Sequence, residues 1–160
     1  MTLQDLNTGN AAAVAEALKQ CCGSGAWVER MIGLRPFASQ TALLSKAATV
    51  WKSLAPADWL EAFAHHPKIG EKSAAKWSSE EQHGMQEAST DTAAAMDQLN
   101  IDYEQKFGWI FIVCATGKTA GEMLALIAAR LRNDPAAELT VAACEQAKIT
   151  KLRLEKLLAQ

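Results

Sequence analysis

Alanine accounts for 31 of the 160 residues, and clusters of β-branched residues are nearly absent. Alanine loses no side-chain entropy on entering a helix, and its small side chain lets neighbouring helices approach closely. Such a chain is poorly equipped to build a sheet. The expected fold class is all-α: a single compact domain over residues 1–160, with about eight helices and one short extended segment. A chain of this length buries about 70% of its unfolded surface. No internal repeat, low-complexity tract or linker divides it.

Start and stop signals place the helices in order. Asn10 caps a helix through Ala11–Gln20 that stops near Gly23, and a short helix covers Ala26 to Ile32 before Gly33 and Arg35-Pro36 break it. Ser39 caps a helix through Leu54 with Leu43, Leu44, Ala47, Val50 and Trp51 on one face. Pro56 opens the next and Pro67 ends it. Ser78-x-x-Glu81 and Thr119-x-x-Glu122 both read as capping boxes. Ser89 starts a helix carrying Met96, Leu99 and Tyr103 towards Gly108, and Asp134-Pro135 opens a last helix to about Leu158. The exception is Trp109 to Ala115, which reads as extended. A lone strand has no sheet to join, so its N–H and C=O groups must find partners elsewhere. They face a ligand, or the stretch is a packed connector satisfied by water and side chains. The sequence leaves both open.

Composition narrows the function classes. At 49% hydrophobic and 21% charged the chain is globular. No apolar run nears the roughly 20 residues a bilayer needs; the longest, Phe107 to Ala115, contains Gly108. The start, MTLQDLNTGN, lacks a secretory layout, and the end, KLLAQ, is no peroxisomal address, so a cytoplasmic protein is expected. A net charge of −2 argues against nucleic acid bound by bulk charge. Lys148, Lys151, Arg153 and Lys156 read as a solvated helical face. Cys21, Cys22, Cys114 and Cys144 form no CxxC pair, which suggests reduced thiols packed as small apolar groups rather than a zinc site or disulfides.

Few residues carry chemistry. Gly117-Lys118-Thr119 has part of a phosphate-binding loop, but the first glycine of that pattern would sit at Ile112. Gly117 reads instead as a turn glycine and Thr119 as an N-cap. His65-His66-Pro67 puts two imidazoles at a helix end, where both ionisation states are accessible near neutral pH and Pro67 restricts the residue before it. Acid–base work and simple capping are equally good readings of that pair. No HxH or HxxxH occurs, which argues against a metal. Glu81 reads first as the capping partner of Ser78, and Arg130, amid Leu126, Ile127 and Leu131, reads slightly better as snorkelling than as an anion anchor.

Five words tip these balances. His66-Pro-Lys-Ile-Gly, Ser78-x-x-Glu-Gln, Phe107-Gly-x-x-Phe-Ile-Val-Cys-Ala, Arg130-Leu-x-Asn and Lys148-Ile-x-x-Leu-Arg-Leu occur in this order, after Trp27 and Arg35-Pro-Phe37 upstream. Together they resemble the OHCU decarboxylase family over roughly residues 26 to 158, OHCU being 2-oxo-4-hydroxy-4-carboxy-5-ureidoimidazoline. The resemblance implies an all-α, cofactor-free and usually dimeric enzyme that releases CO2 and yields (S)-allantoin. It implies a catalytic His66 rather than His65, with Glu81 as the active-site carboxylate. Substrate contacts fall by the same resemblance on Pro67, on Ser78, Ser79, Glu80, Glu81 and Gln82, on Phe111, Ile112, Val113, Cys114 and Ala115, and on Arg130. Lys68 stands where many members carry Arg or another polar residue, so the resemblance gives it no chemical role, and the stretch between His66 and Glu81 is shorter than in some animal members. The missing peroxisomal tail fits a bacterial-type member. Two rivals stay in view, a helical interaction module in which His66 and Glu81 only cap helices, and a Schiff-base decarboxylase using Lys68 or Lys118.

Overall fold

The computed structural model describes residues 1–71 and 76–159. Among them lie ten α-helices and no strand, so the all-α expectation holds. The first unit comprises Met1–Ala62 and Gln146–Gln160. It contains α1 (Leu3–Thr8), α2 (Ala11–Cys21), α3 (Gly25–Gly33) and α4 (Gln40–Lys52), with α2 packed on α3 and α3 on α4. Asn10, Ser24 and Ser39 cap the last three through their side-chain oxygens. Trp27 is fully buried, and its indole N–H donates to the Ala47 carbonyl at 3.1 Å, which satisfies the polar end of a large apolar ring. Arg153 does not join a solvated face: it is buried and donates to the Gln20 carbonyl at 3.1 Å. Cys21 and Cys22 are buried thiols as expected, whereas Cys144, in the second unit, is exposed.

The second unit, Phe63–Glu145, holds α6 (Lys76–Glu81), α7 (His83–Gln86), α8 (Thr90–Phe107) and α9 (Ala120–Arg130). α5 (Pro56–Ala64) leads into it, and α10 (Pro135–Leu158) begins in it. Its core gathers Ile69, Met96, Tyr103, Phe107, Met123 and Ile127, with α8 packed on α9. Ser89 caps α8, and Gly108, at φ +83, ends it. Thr119 and Glu122 form the expected capping box of α9, preceded by the turn at Gly117, φ +77. Lys106 Nζ donates to the Leu131 and Asn133 carbonyls at 2.5 and 2.9 Å, placing a cation where α9 leaves unpaired acceptors.

Two helices exceed the expected eight. α1 exists because Thr2 and Asp5 form a capping box, and it buries Leu6. α7 is a four-residue turn. One capping box is overturned: α6 starts at Lys76, so Ser78 lies within it and Glu81 closes it. A capping serine needs extended backbone, and the S-x-x-E spacing occurs equally inside a helix. Within the stretch between His66 and Glu81, residues 72–75 lie outside the described residues. No helix among the described residues is long and apolar enough to cross a membrane.

Candidate active site

All the site residues named above fall within Phe63–Glu145. The loop after α5 carries His66, which is half-buried and donates its backbone N–H to the Phe63 carbonyl at 3.1 Å. Pro67 is half-buried too, whereas His65 is exposed, so the two imidazoles stand in different surroundings. α8 holds this loop through two residues four apart on one face. Asn100 Nδ2 donates to the Ile69 carbonyl at 2.8 Å, and Lys68 Nζ pairs with Glu104 Oε2 at 2.8 Å. The Glu104 hydrogen bond and charge keep the Lys68 ammonium above its ordinary range, the reverse of what an imine-forming lysine requires.

A further bond joins this loop to Gln82, the residue between α6 and α7. Gly70, at φ +89, donates its N–H to Gln82 Oε1 at 3.0 Å, bridging the first two motif words. Ser78 is buried, Ser79 and Glu80 are exposed, and Glu81 and Gln82 are half-buried. Ser78, Ser79 and Gln82 share a hollow with Gly70, Glu71 and Met85. Glu81 lines a second hollow with Gly84, Lys118 and Thr119.

The segment from Phe111 to Ala115 is buried and belongs to no ladder. Its odd-numbered residues, Phe111, Val113 and Ala115, pack into the core cluster. Its even-numbered residues give their main-chain groups to side chains. Arg130 Nη1 donates to the Ile112 carbonyl at 2.6 Å, the Cys114 N–H donates to Glu145 Oε1 at 3.3 Å, and Lys118 Nζ donates to the Cys114 carbonyl at 2.6 Å. In an extended chain the N–H and C=O of one residue share an edge, and those of the next residue point to the opposite edge. Three side chains therefore occupy one edge. On the other, nothing among the described residues bonds the main-chain N–H or C=O of Phe111 or Val113. The packed-connector reading describes the first of these edges. Burial pushes the Cys114 thiol up; Lys118 opposes that, and the Glu145 and Glu81 carboxylates add to it.

Arg130 does not snorkel. It is buried, its Nε donates to Glu138 Oε1 at 2.6 Å, its Nη2 lies 2.5 Å from the same oxygen, and its guanidinium sits 4.5 Å from the Phe111 ring centre. The fully buried Glu138 also accepts from Tyr103 Oη at 2.6 Å and, on Oε2, from Asn133 Nδ2 at 2.9 Å. Trp109 Nε1 donates to Tyr103 Oη at 3.2 Å. Burial first, and the Glu138 hydrogen bond second, raise the Tyr103 hydroxyl well above its usual range. Sequence reasoning passed over Glu138, Tyr103 and Trp109. The available signal was a lone acid in the first turn of α10, which also suits the helix dipole.

The family model for OHCU decarboxylase matches residues 7–155. The chain is 40% identical over 147 residues to the uric acid degradation bifunctional protein TTL of Arabidopsis thaliana, covering 87% of this chain and 45% of that protein. It is 32% identical over 131 residues to the 2-oxo-4-hydroxy-4-carboxy-5-ureidoimidazoline decarboxylase of Amia calva, covering 78% of this chain and 75% of that one. A crystal structure of OHCU decarboxylase in the presence of (S)-allantoin superposes with a TM-score of 0.82 at 35% identity, covering 95% of this chain and all of that one. The chain spans less than half the length of the bifunctional relatives it matches.

Proposed function

The chain belongs to the OHCU decarboxylase family, and from that premise we propose that it decarboxylates OHCU to (S)-allantoin and CO2 within urate breakdown. One observation carries the reading: the unbonded main-chain edge at Phe111 and Val113, held in place by clamps on Ile112 and Cys114. A flat ring rich in amide N–H and C=O groups is the complement of such an edge, as an added strand is. Support also comes from the Gly70–Gln82 bond, which draws the His66 loop to the segment bearing Glu81.

The substrate supplies its own electron sink. Its ring C5=N bond lies beside the carbon carrying the hydroxyl and carboxylate, so as CO2 leaves the electron pair forms a C4=C5 bond and the C=N pair moves onto the ring nitrogen, which takes up a proton. The resulting enol must lose its O–H proton and gain one at C5. Protonation in water is unselective, so the protein has to cover one face and deliver a proton to the other, a task of orientation and acid–base chemistry. In this reading His66 shuttles the proton, and Glu81 orients the substrate or shares the transfer. Pro67, Ser78 to Gln82 and Arg130 contact the substrate, and Arg130 with the Phe111–Ala115 main chain stabilises charge spreading into the ring. The reading extends, by likeness to the family, to a cofactor-free homodimer in the cytoplasm.

The test is the decay of freshly generated OHCU followed by circular dichroism. The expected result is accelerated formation of a single allantoin enantiomer. His66→Gln and Glu81→Ala are expected to lower the rate by about 10²–10⁴-fold with an unchanged unfolding midpoint. Racemic decay at the spontaneous rate in the presence of the folded wild-type protein overturns the proposal and favours a helical interaction module.

A further inference from the structure

Arg130 is 7% exposed, yet its guanidinium is not fully used by the protein. Nε bonds Glu138 and Nη1 bonds Ile112, but Nη2, although close to Glu138 Oε1, meets no acceptor in hydrogen-bonding geometry among the described residues. A buried N–H donor without an acceptor is costly and calls for one. The direction in which that donor points is set by Glu138. This carboxylate is 0% exposed, and hydrogen bonds from Arg130, Tyr103 and Asn133 hold it from three sides. Tyr103 is fixed in turn by Trp109, at the head of the extended segment. Charge-assisted bonds of this kind have narrow geometry, so the carboxylate dictates the plane of the guanidinium.

We propose that Glu138 is a positioning residue for the reaction: through Arg130 it turns one Nη2 donor towards a substrate oxygen while Nη1 holds Ile112 and the free edge beside it. The inference rests on the decarboxylase reading above. Glu138 itself makes no contact with substrate. The substrate oxygen held by this donor is already present before CO2 leaves, so the effect of Glu138 falls mainly on KM, and only the smaller part of Arg130's action on the developing ring charge reaches kcat. A merely structural role would reduce the folded fraction, which lowers Vmax and leaves KM unchanged.

The test is steady-state OHCU decarboxylation by wild type, E138Q, R130Q and the double variant, each checked for folding by circular dichroism. E138Q is expected to raise KM by about 10- to 100-fold, the range for a hydrogen bond to a charged group, with kcat changed far less. In the Arg130→Gln background the same change has no further effect, because the residue through which it acts is gone. Should E138Q fail to fold, Tyr103→Phe removes one of the bonds holding the carboxylate and spares the ion pair. It is expected to raise KM by about 2- to 10-fold. A folded E138Q with wild-type KM, additive effects in the double variant, or an unchanged KM in Tyr103→Phe overturns the role of Glu138. A wild-type protein that does not accelerate OHCU decay overturns the decarboxylase reading instead, so the two failures are distinct.

Discussion

Gly84, in α7, is a position where one added carbon meets main chain directly. A Cβ there would stand 2.1 Å from the Lys118 carbonyl oxygen, 3.1 Å from its carbon and 3.2 Å from the Thr119 Cα. The first distance is about 1 Å inside van der Waals contact. All three atoms are main chain, so no side chain can swing aside, and α7 must separate from the Lys118–Thr119 turn. Overpacking of this kind costs about 1–3 kcal/mol, and the better helix propensity of alanine offsets roughly 0.5–1 kcal/mol of it. At about 2–4 °C per kcal/mol for a chain of this size, Gly84→Ala should lower the melting temperature by a few degrees. The same displacement parts Glu81 from Lys118, which line one hollow, and Lys118 holds the Cys114 carbonyl. Misplacement by about 1 Å can cost about 10²-fold in rate, so kcat/KM should fall out of proportion to stability. Gly121→Ala is the control. It sits in the first turn of α9 with nothing within 4 Å of its built Cβ, and it should be neutral or slightly stabilising. Calorimetry and OHCU decay on the two variants decide the matter: a Gly84→Ala protein matching wild type in both refutes the reasoning.

Two further substitutions probe the two units separately. Asn100→Ala leaves the Ile69 carbonyl without its buried donor and should lower stability by about 1–3 kcal/mol in urea titrations; an unchanged midpoint would show that bond to be idle. Burial raises the Cys22 thiol from 9.0 to about 11, against smaller opposing effects of Ser24, Thr150 and Arg153. The folded protein thus binds that proton more tightly than the unfolded chain. Its contribution, at most about 3 kcal/mol, is complete below pH 9 and is lost as the pH rises through about 11. Unfolding free energies of wild type and Cys22→Ala should therefore converge between pH 8 and 11, and parallel curves would count against the assignment.

The helices that announced themselves did so through caps. Asn10, Ser39, Ser89 and Thr119 each stand at a boundary where an oxygen can take an orphan N–H, and each does so. Ser78 shows the limit of that signal, because the spacing is the same when the serine sits one turn further in, and only tertiary packing decides. The snorkelling reading of Arg130, drawn from its position alone, failed for a different reason. Its apolar neighbours were plain in the sequence, but its partner Glu138 lies eight residues on, beyond the end of α9. The backbone reversal that brings them together has no periodicity to reveal it. The extended segment could be found from its β-branched run, whereas the division of its edges depends on Lys118, Arg130 and Glu145, scattered over nearly thirty residues.

Those clamps bear on how the chain tolerates change. A neighbouring strand would have engaged every second amide through its own backbone, indifferent to its side chains. Here the stand-in for that neighbour is made of two cations and a carboxylate, so this stretch is only as steady as three long side chains. Along the stretch itself the demand is reversed. In the proposed reading position 113 offers an amide hydrogen on the open edge and an apolar body to the core, so proline, which has no such hydrogen, is excluded there.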